Sequence, residues 1–155
     1  MAIAPTADFD ELVLEVEFDP VGSAGTFTKI CGITDFTVNR ANNTETSEVP
    51  DCADESLPHH IKRAVRSQDM TISGTGVWSR TSHQNMMTWL TSASTLNVKI
   101  TNAAVTEADV TGDTESETIP MILTALNNAR TKGQVVSAEI SLEQNGAVTR
   151  TVITA

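Results

Sequence analysis

The sequence predicts a mainly β fold, an antiparallel β-sandwich or barrel of two packed sheets with one flanking α-helix. Three observations support this prediction. Apolar and polar side chains alternate with period two along most segments, as they do in strands with one buried face. Turn-forming Gly, Pro, Asn and Asp residues separate these segments. Helical spacing of apolar residues is found in a single segment, at about residues 82–93.

The N-terminal part of the chain carries three predicted strands, at residues 11–18, at residues 26–30 with a continuation after Gly32 at residues 35–39, and at residues 69–78. In the first, Glu15 and Glu17 share the face opposite the apolar residues, which predicts a strand with one solvent-facing side. The last contains Gly74 and Gly76, and no helix opens after them. The pair therefore favours a bulge or a closely packed helix over a phosphate-binding loop.

The predicted helix begins at Thr81 or Ser82, either of which can serve as the N-cap. Its apolar residues recur at helical spacing and are Met86, Trp89, Leu90 and Ala93. The segment is long enough for about three turns. We expect it to lie with its apolar side against one face of the sheet.

Four further strands are predicted after the helix, at residues 96–100, 118–126, 134–143 and 147–154. Pro120 interrupts the second of them and predicts an edge position or a bulge, because proline cannot donate a hydrogen bond to a neighbouring strand. The dipeptide Asn145-Gly146 favours a tight hairpin turn between the last two strands.

Residues 1–155 are expected to form a single domain. Three of its segments are interpreted as neither complete strands nor helices. Residues 40–66 are polar and acidic and then turn basic, and they are interpreted as one long loop. A structureless loop of this length is uncommon in a compact domain, so we expect it to be functional or ordered by a partner. Residues 106–117 form an acidic, turn-rich segment, and about residues 1–10 are expected to form a flexible N-terminal arm.

The chain is acidic, with 20 Asp and Glu against 10 Lys and Arg and a formal net charge of −10. A protein that grips nucleic acid needs a basic surface, so specific nucleic-acid binding is not expected. The charge is uneven, since residues 1–55 carry 12 acids and 2 bases whereas residues 56–101 carry 1 acid and 5 bases. Opposite charge in different stretches suits self-association, although in a monomer the stretches could pair internally.

No enzymatic, metal or cofactor site is predicted. Cys52, His59 and His60 match no zinc-binding spacing and lack a fourth ligand. No apolar run approaches the roughly 18 residues that a membrane helix requires, and the acidic N-terminus lacks the basic region of a secretory signal. Cys31 and Cys52 are too few for a disulfide framework, and the sequence leaves open whether they pair or remain free thiols.

Beyond these local patterns, the order of several segments along the chain is informative. The ordered set comprises CGITDFTVNRANNTETSEVPDC (31–52), DMTISGTGVW (69–78), the predicted helix, the NVKI strand (97–100), the acidic loop and two C-terminal amphipathic strands. This set resembles the tail tube (major tail) proteins of long-tailed bacteriophages and gene transfer agents. The resemblance covers about residues 10–154.

The resemblance implies a structural, non-enzymatic virion protein with the tail-tube fold and no cofactor. Such proteins form hexameric rings that stack into a hollow, non-contractile tube, through which DNA passes from head to host without specific binding. The implied partners are other copies of the chain, a tape-measure protein, tail-tip or baseplate proteins and tail terminator proteins, with assembly in the host bacterial cytoplasm. Tube proteins of contractile tails or type VI secretion-like systems share the fold and are an alternative, as is a β-sandwich binding or decoration module.

The resemblance also suggests two groups of site residues. A long loop reaches neighbouring subunits in the family, so inter-subunit or inter-ring contacts are expected from Glu45, Glu48, Asp51, Asp54, Glu55, Lys62, Arg63 and Arg66. Polar strand faces either line the lumen or face external solvent, and the candidates for the lumen are Asp35, Thr37, Asn39, Glu139 and Glu143. An acidic lumen would repel DNA phosphates.

Overall fold

The computed structural model describes residues 11–102 and 114–152, which form eight β-strands and one α-helix. The strands are β1 (Leu12–Val16), β2 (Thr28–Lys29), β3 (Ile33–Val49), β4 (His60–Val77), β5 (Leu96–Asn102), β6 (Thr114–Ala129), β7 (Ser137–Gln144) and β8 (Thr149–Val152). The helix, α1 (Arg80–Ser92), lies between β4 and β5, close to its predicted bounds. The predicted N-terminal arm and most of the acidic 106–117 segment lie outside the described residues.

All eight strands belong to one antiparallel sheet, in the order β2-β1-β5-β6-β7-β4-β3, with β8 beside β6. The prediction of two packed sheets is therefore wrong, because β6 joins β2, β1 and β5 to β7, β4 and β3 in a single sheet. It pairs with β5 as far as Met121 and with β7 from Met121 onward. A register shift between Leu123 and Ala125 follows, and such bulges bend a strand. The sheet curls around the core, and its two outermost strands are joined by residues 30–32.

Among the described residues, the buried apolar side chains form one core between the inner face of the sheet and α1. Its fully or nearly fully buried members include Leu14, Val16, Met70, Ile72, Met86, Val98, Ile119, Met121, Ile140 and Leu142. Trp89 of α1 is buried with them and meets Phe18 edge to face, with 6.3 Å between ring centroids. Its indole Nε1 donates to the Ser94 carbonyl oxygen at 2.8 Å. The helix thus covers the core with Met86, Trp89 and the partly buried Leu90, as its spacing predicted, whereas Ala93 is an exposed residue that caps the C-terminus of the helix.

The start of the helix differs from the prediction. Ser79 is the N-cap residue and makes no side-chain hydrogen bond there. Ser82 is buried instead, and its Oγ accepts a hydrogen bond from the backbone N–H of Cys31 at 2.9 Å. This hydroxyl therefore ties the helix to the connection between β2 and β3.

β1 shows the predicted alternation with two exceptions, the first being the apolar Leu12, which is 40% exposed. Leu14 and Val16 are buried, but Glu17, predicted to face solvent, is buried as well. Its Oε2 accepts a hydrogen bond from the backbone N–H of Gly25 at 2.8 Å. The turn after β1 folds back over the end of the strand, and the carboxylate holds that turn in place.

The last two strands do not form the hairpin predicted from Asn145-Gly146. β7 pairs with β6 as far as Met121 and β8 pairs with it from Thr118, both antiparallel and on the same side. β8 therefore continues in the direction of β7. Asn145 donates its backbone N–H to the Pro120 carbonyl at 2.8 Å. The dipeptide therefore interrupts the regular strand pairing beside Pro120 and does not close a hairpin. This irregular pairing agrees with the bulge predicted at Pro120.

The predicted loop at residues 40–66 is wrong, because both of its ends belong to strands. The outer parts of β3 and β4 pair with each other as far as Val49 and His60. β7 accompanies β4 only from Thr71, so the ribbon beyond it has no further neighbour among the described strands. This ribbon with its turn, residues 42–68, is called the extension below. Nearly all of its side chains are exposed.

Gly74 and Gly76 lie where β4 faces a bulge in β3, between Ile33 and Asp35. The glycine pair predicted a bulge or a closely packed helix at this strand, but the bulge lies in the partner strand β3. A Cβ atom at Gly76 would overlap the Gly32 carbonyl oxygen and lie 2.9 Å from Ile33 Cα. The two strands can approach this closely because position 76 has no side chain.

Candidate assembly surfaces

The five residues predicted to line a lumen share one exposed face of the sheet. Three rows of paired residues cross β3, β4 and β7, namely Asp35–Thr75–Glu139, Thr37–Ser73–Ser141 and Asn39–Thr71–Glu143. All five predicted residues are exposed. The opposite face of the same strands carries the buried Ile72, Ile140 and Leu142. The exposed face is called the polar face below.

The polar face is acidic. Its three rows contain Asp35, Glu139 and Glu143 and no basic residue. Asp69 lies two residues before Thr71, on the same side of β4. Four neighbouring acidic side chains among neutral hydroxyl and amide groups make a surface that repels phosphate rather than binding it.

The eight residues predicted to contact other subunits all lie in the extension, but on different sides of it. Strand pairing places Glu45 and Lys62 on one face of the ribbon and Glu48 and Arg63 on the other. Arg66 occupies a bulge between the two faces. The remaining three lie in the turn and are Asp51, Asp54 and Glu55. The acids and bases of this segment are thus interleaved in one ribbon.

The bases of the extension have no acidic partner within the described structure. No carboxylate of residues 11–102 or 116–152 lies within 4.0 Å of a side-chain nitrogen of Lys62, Arg63 or Arg66. These side chains are exposed. Their charges are therefore available to a partner surface.

In the turn of the extension, local hydrogen bonds stabilise the negative charge of Asp54. The carboxylate oxygen Oδ1 of Asp54 accepts from the hydroxyl and the backbone N–H of Ser56, at 2.6 and 3.0 Å. These hydrogen bonds to the ionised form hold the pKa of the Asp54 carboxyl below its ordinary value. Asp54 therefore remains negatively charged in mildly acidic solution.

An ion pair that the sequence did not predict anchors the base of the extension. Arg40 of β3 donates to Glu117 of β6 from Nη2 at 2.8 Å and from Nε at 3.3 Å. Two such hydrogen bonds fix the plane of the guanidinium. A groove of about 520 Å³ lies beside this pair, with Asp69 and Arg150 in its wall. Arg40 and Glu117 are 77 residues apart, so no local pattern could reveal their contact.

The opposite end of β4 forms a second surface that the sequence did not predict. Trp78 donates its backbone N–H to the Val136 carbonyl at 2.7 Å, which brings the β6–β7 turn beside the start of α1. The exposed apolar side chains here are Val77, Trp78 and Val135, and the bases are Arg80, Arg130 and Lys132. Cys31 and Trp78 line the same small crevice. This surface is called the distal end below.

The residues considered as metal ligands do not come together. His59 Nδ1 lies 3.8 Å from a Glu48 carboxylate oxygen, and His60 Nε2 lies 3.7 Å from one of Asp51. Cys52 is an exposed free thiol. In the two described ranges, no three His, Cys, Asp or Glu side chains form a group that could hold a metal ion. Nor does that part of the chain contain a helix long and apolar enough to cross a membrane.

The sequence profile of one family, described as phage tail tube protein, matches residues 8–150. The chain belongs to the phage tail tube protein family. The resemblance inferred from the ordered segments is thereby confirmed, and with it a structural rather than enzymatic role as a component of the virion tail. Among curated protein sequences, no match to this tail tube protein is found.

Several solved structures share the fold of this tail tube protein. The tail of an empty gene transfer agent particle, refined helically with C6 symmetry, is 16% identical with a TM-score of 0.72, over 94% of this chain and 99% of that chain. The SPP1 tail tube is 8% identical with a TM-score of 0.68, over 97% and 81%. A sheath–tube complex of an extracellular contractile injection system is 9% identical with a TM-score of 0.60, over 96% and 93%. At these identities the likeness establishes the tail-tube fold.

Proposed function

We propose that the chain forms closed hexameric rings that stack into a hollow, non-contractile tail tube, through which DNA passes from head to host. One observation carries the proposal. β3 is a sheet edge of 17 residues whose outer side has no partner among the described strands. An exposed edge of this length is a template for pairing with another chain.

Ring closure accounts for this edge. When the edge strand of one subunit pairs with the sheet of the next, the backbone N–H and C=O groups along β3 gain partners and the sheets join into a continuous barrel. A closed ring leaves no unpaired edge, whereas an open row of subunits leaves one at each end. The C6 symmetry of the related gene transfer agent tail supports six subunits per ring.

The extension supports contact between subunits. A two-stranded ribbon alone is marginally stable in water, and this one exposes more than half of Ile61 and of Val65 on a single face. Covering these side chains with a neighbouring subunit contributes about 25 cal/mol for each Å² of apolar surface buried. We assign the eight charged residues of the extension to contacts with adjacent subunits or rings, where Lys62, Arg63 and Arg66 meet acids.

We assign the polar face to the lumen of the tube. Asp35, Glu139 and Glu143 then present carboxylates to passing DNA, while Thr37 and Asn39 contribute neutral polar groups. With a net charge of −10 per chain, a hexamer carries about −60 formally, a field of one sign. Like-charge repulsion keeps the phosphate backbone from adhering to the wall, so DNA moves through without specific binding.

The remaining partners follow from the family resemblance. A tape-measure protein sets the length of the tube, a tail-tip or baseplate complex starts it, and a terminator protein ends it. Assembly takes place in the cytoplasm of the bacterial host, and the finished tube belongs to the virion tail.

Negative-stain electron microscopy of the purified chain at rising concentration, with light scattering on the same samples, tests this proposal. We expect rings or hollow tubes with six-fold end views. A strict monomer at every concentration, with and without an added tail-tip complex, would contradict it and favour a binding or decoration module. A sheath protein bound along the tube in isolated particles would instead identify a contractile tail.

A further inference from the structure

The two ends of the subunit carry opposite charge. The turn of the extension contains three acids and no lysine or arginine, the acids being Asp51, Asp54 and Glu55. The distal end contains three bases, Arg80, Arg130 and Lys132. The acids nearest to it along the strands are Asp35 and Glu139, which lie in the row of Thr75 on the polar face. The 18 residues of β4 separate the two ends by about 55 Å, at about 3.3 Å per residue.

Each end also exposes apolar side chains beside its charges. In the turn of the extension, Leu57 is 48% exposed. At the distal end, Val135 is 69% exposed, and Trp78, which is hydrogen-bonded to the following residue Val136, is 39% exposed. Single exposed apolar residues are common, but these lie beside complementary charges at opposite ends of one subunit.

We propose that the turn of the extension docks on the distal end of a second copy of this chain, so that subunits stack head to tail along the tube. The inference rests on the proposed tube function and adds the receiving surface and the polarity of the stack. A contact between two different surfaces of identical chains propagates as an open-ended stack, which a tube requires along its axis. The charges set the register of this contact, and Leu57 packs beside Trp78 of the next copy.

The two cysteines provide a probe of the same contact. Cys52 lies in the turn of the extension and Cys31 lies beside Trp78 at the distal end, and both are exposed free thiols. Within one chain they lie at opposite ends of β3, whose 17 residues span about 50 Å. A disulfide requires Cα atoms within about 7 Å, so the two cannot pair in one subunit. In a head-to-tail stack, Cys52 of one subunit faces Cys31 of the next.

Thiol crosslinking of assembled tubes tests the docking directly. A short bis-maleimide joins two sulfur atoms, since each thiolate adds to one maleimide double bond and no oxidant is needed. We expect wild-type tubes to give a ladder of covalent multimers on a denaturing gel, and Cys31→Ser or Cys52→Ser tubes to give monomers alone. Covalent dimers in either single-cysteine variant would show that like cysteines meet. That result, or wild-type tubes without a ladder, would overturn the docking.

Charge exchange provides a second test. Arg130→Glu with Lys132→Glu is expected to leave rings that do not stack, with a loss of tubes of about tenfold or more, because like charges then oppose each other. Asp54→Lys with Glu55→Lys is expected to do the same. All four substitutions together restore the wild-type net charge and are expected to restore tubes. Normal tubes from either double variant, or no recovery in the fourfold variant, would contradict the docking.

Failure of the docking and failure of the tube function are distinguishable. A wild-type chain that forms no rings or tubes contradicts the proposed function. Wild-type tubes that persist after both charge reversals and give no cysteine ladder retain the tube function and refute only the docking of the extension on the distal end.

Discussion

At Gly76, the close approach of β3 and β4 depends on the absence of a side chain. The atoms that a methyl group would meet, the Gly32 carbonyl oxygen and Ile33 Cα, belong to the backbone and cannot rotate away. The same Gly32 oxygen accepts a hydrogen bond from the Val77 N–H at 2.9 Å. This close contact lies where the pairing of β3 with β4 ends, beside the distal end.

Gly76→Ala is expected to lower the free energy of unfolding of the subunit by about 2 kcal/mol, within the range for forcing extra atoms into a packed site. Urea denaturation followed by tryptophan fluorescence measures the change. Ser73→Ala, at an exposed position of the same strand, is the control and is expected to change stability by less than about 0.5 kcal/mol. Equal unfolding midpoints for the two variants would show that β3 moves aside without cost.

At the scale of the element, the extension is tied to the rest of the subunit mainly at its base. Arg40 and Glu117 form an ion pair there, while the ribbon beyond pairs only with itself among the described strands. Changes in its outer part should therefore leave the core intact and act on assembly.

Reversal of Lys62, Arg63 and Arg66 to glutamate in one variant is expected to block polymerisation while the subunit still folds. These side chains are exposed, so the stability of the monomer should change by less than about 0.5 kcal/mol. Thermal melting measures the fold and electron microscopy measures the tubes. The variant Lys62→Arg, Arg63→Lys and Arg66→Lys keeps every charge and should polymerise. Tubes of normal length from the reversed variant would exclude a role for these bases.

At the scale of the whole molecule, charge is separated by surface. The polar face is acidic, the turn of the extension is acidic and the distal end is basic. In the proposed tube, the first of these surfaces faces DNA and the other two face each other. Net charge alone therefore says little about where this chain repels and where it binds.

Tubes that carry Asp35→Lys, Glu139→Lys and Glu143→Lys are expected to retain double-stranded DNA, because a basic lumen binds phosphate with counterion release. Co-sedimentation with short DNA at low and at physiological salt measures this, and the retention should fall steeply as salt rises. Wild-type tubes and the neutral variant Asp35→Asn, Glu139→Gln and Glu143→Gln serve as controls and should leave DNA in the supernatant. Equal sedimentation of DNA in all three would place these residues away from the DNA path.

Much of the fold could be read from the sequence because alternation and helical spacing are local properties. The central parts of the strands and the helix lie where these patterns predicted them. For the inner part of β3 and for β7, the side that faces solvent was also predictable, so Asp35, Thr37 and Asn39 share an exposed face with Glu139 and Glu143. The order of these segments was sufficient to predict the family.

The strands of the extension were not predicted from the sequence, for a physical reason. Both of its faces are in solvent, so residues 42–49 and 60–68 are largely polar on both sides and show no apolar alternation. A strand of this kind is indistinguishable from a loop by periodicity. It is recognised by its pairing, which lies between residues far apart in the chain.

Other features likewise depend on contacts between distant residues. Asn145-Gly146 can close a hairpin, but here Asn145 lies beside Pro120 of β6. Glu17 alternates as a solvent-facing residue and is buried because a later turn covers it. Two further features also depend on which strands pair. They are the joining of the two expected sheets through β6 and the placement of Cys31 and Cys52 at opposite ends of the subunit. Which strands pair is decided by contacts between residues far apart in the chain, which local periodicity does not report, so the tertiary structure assigns the partners, the edges and the ends.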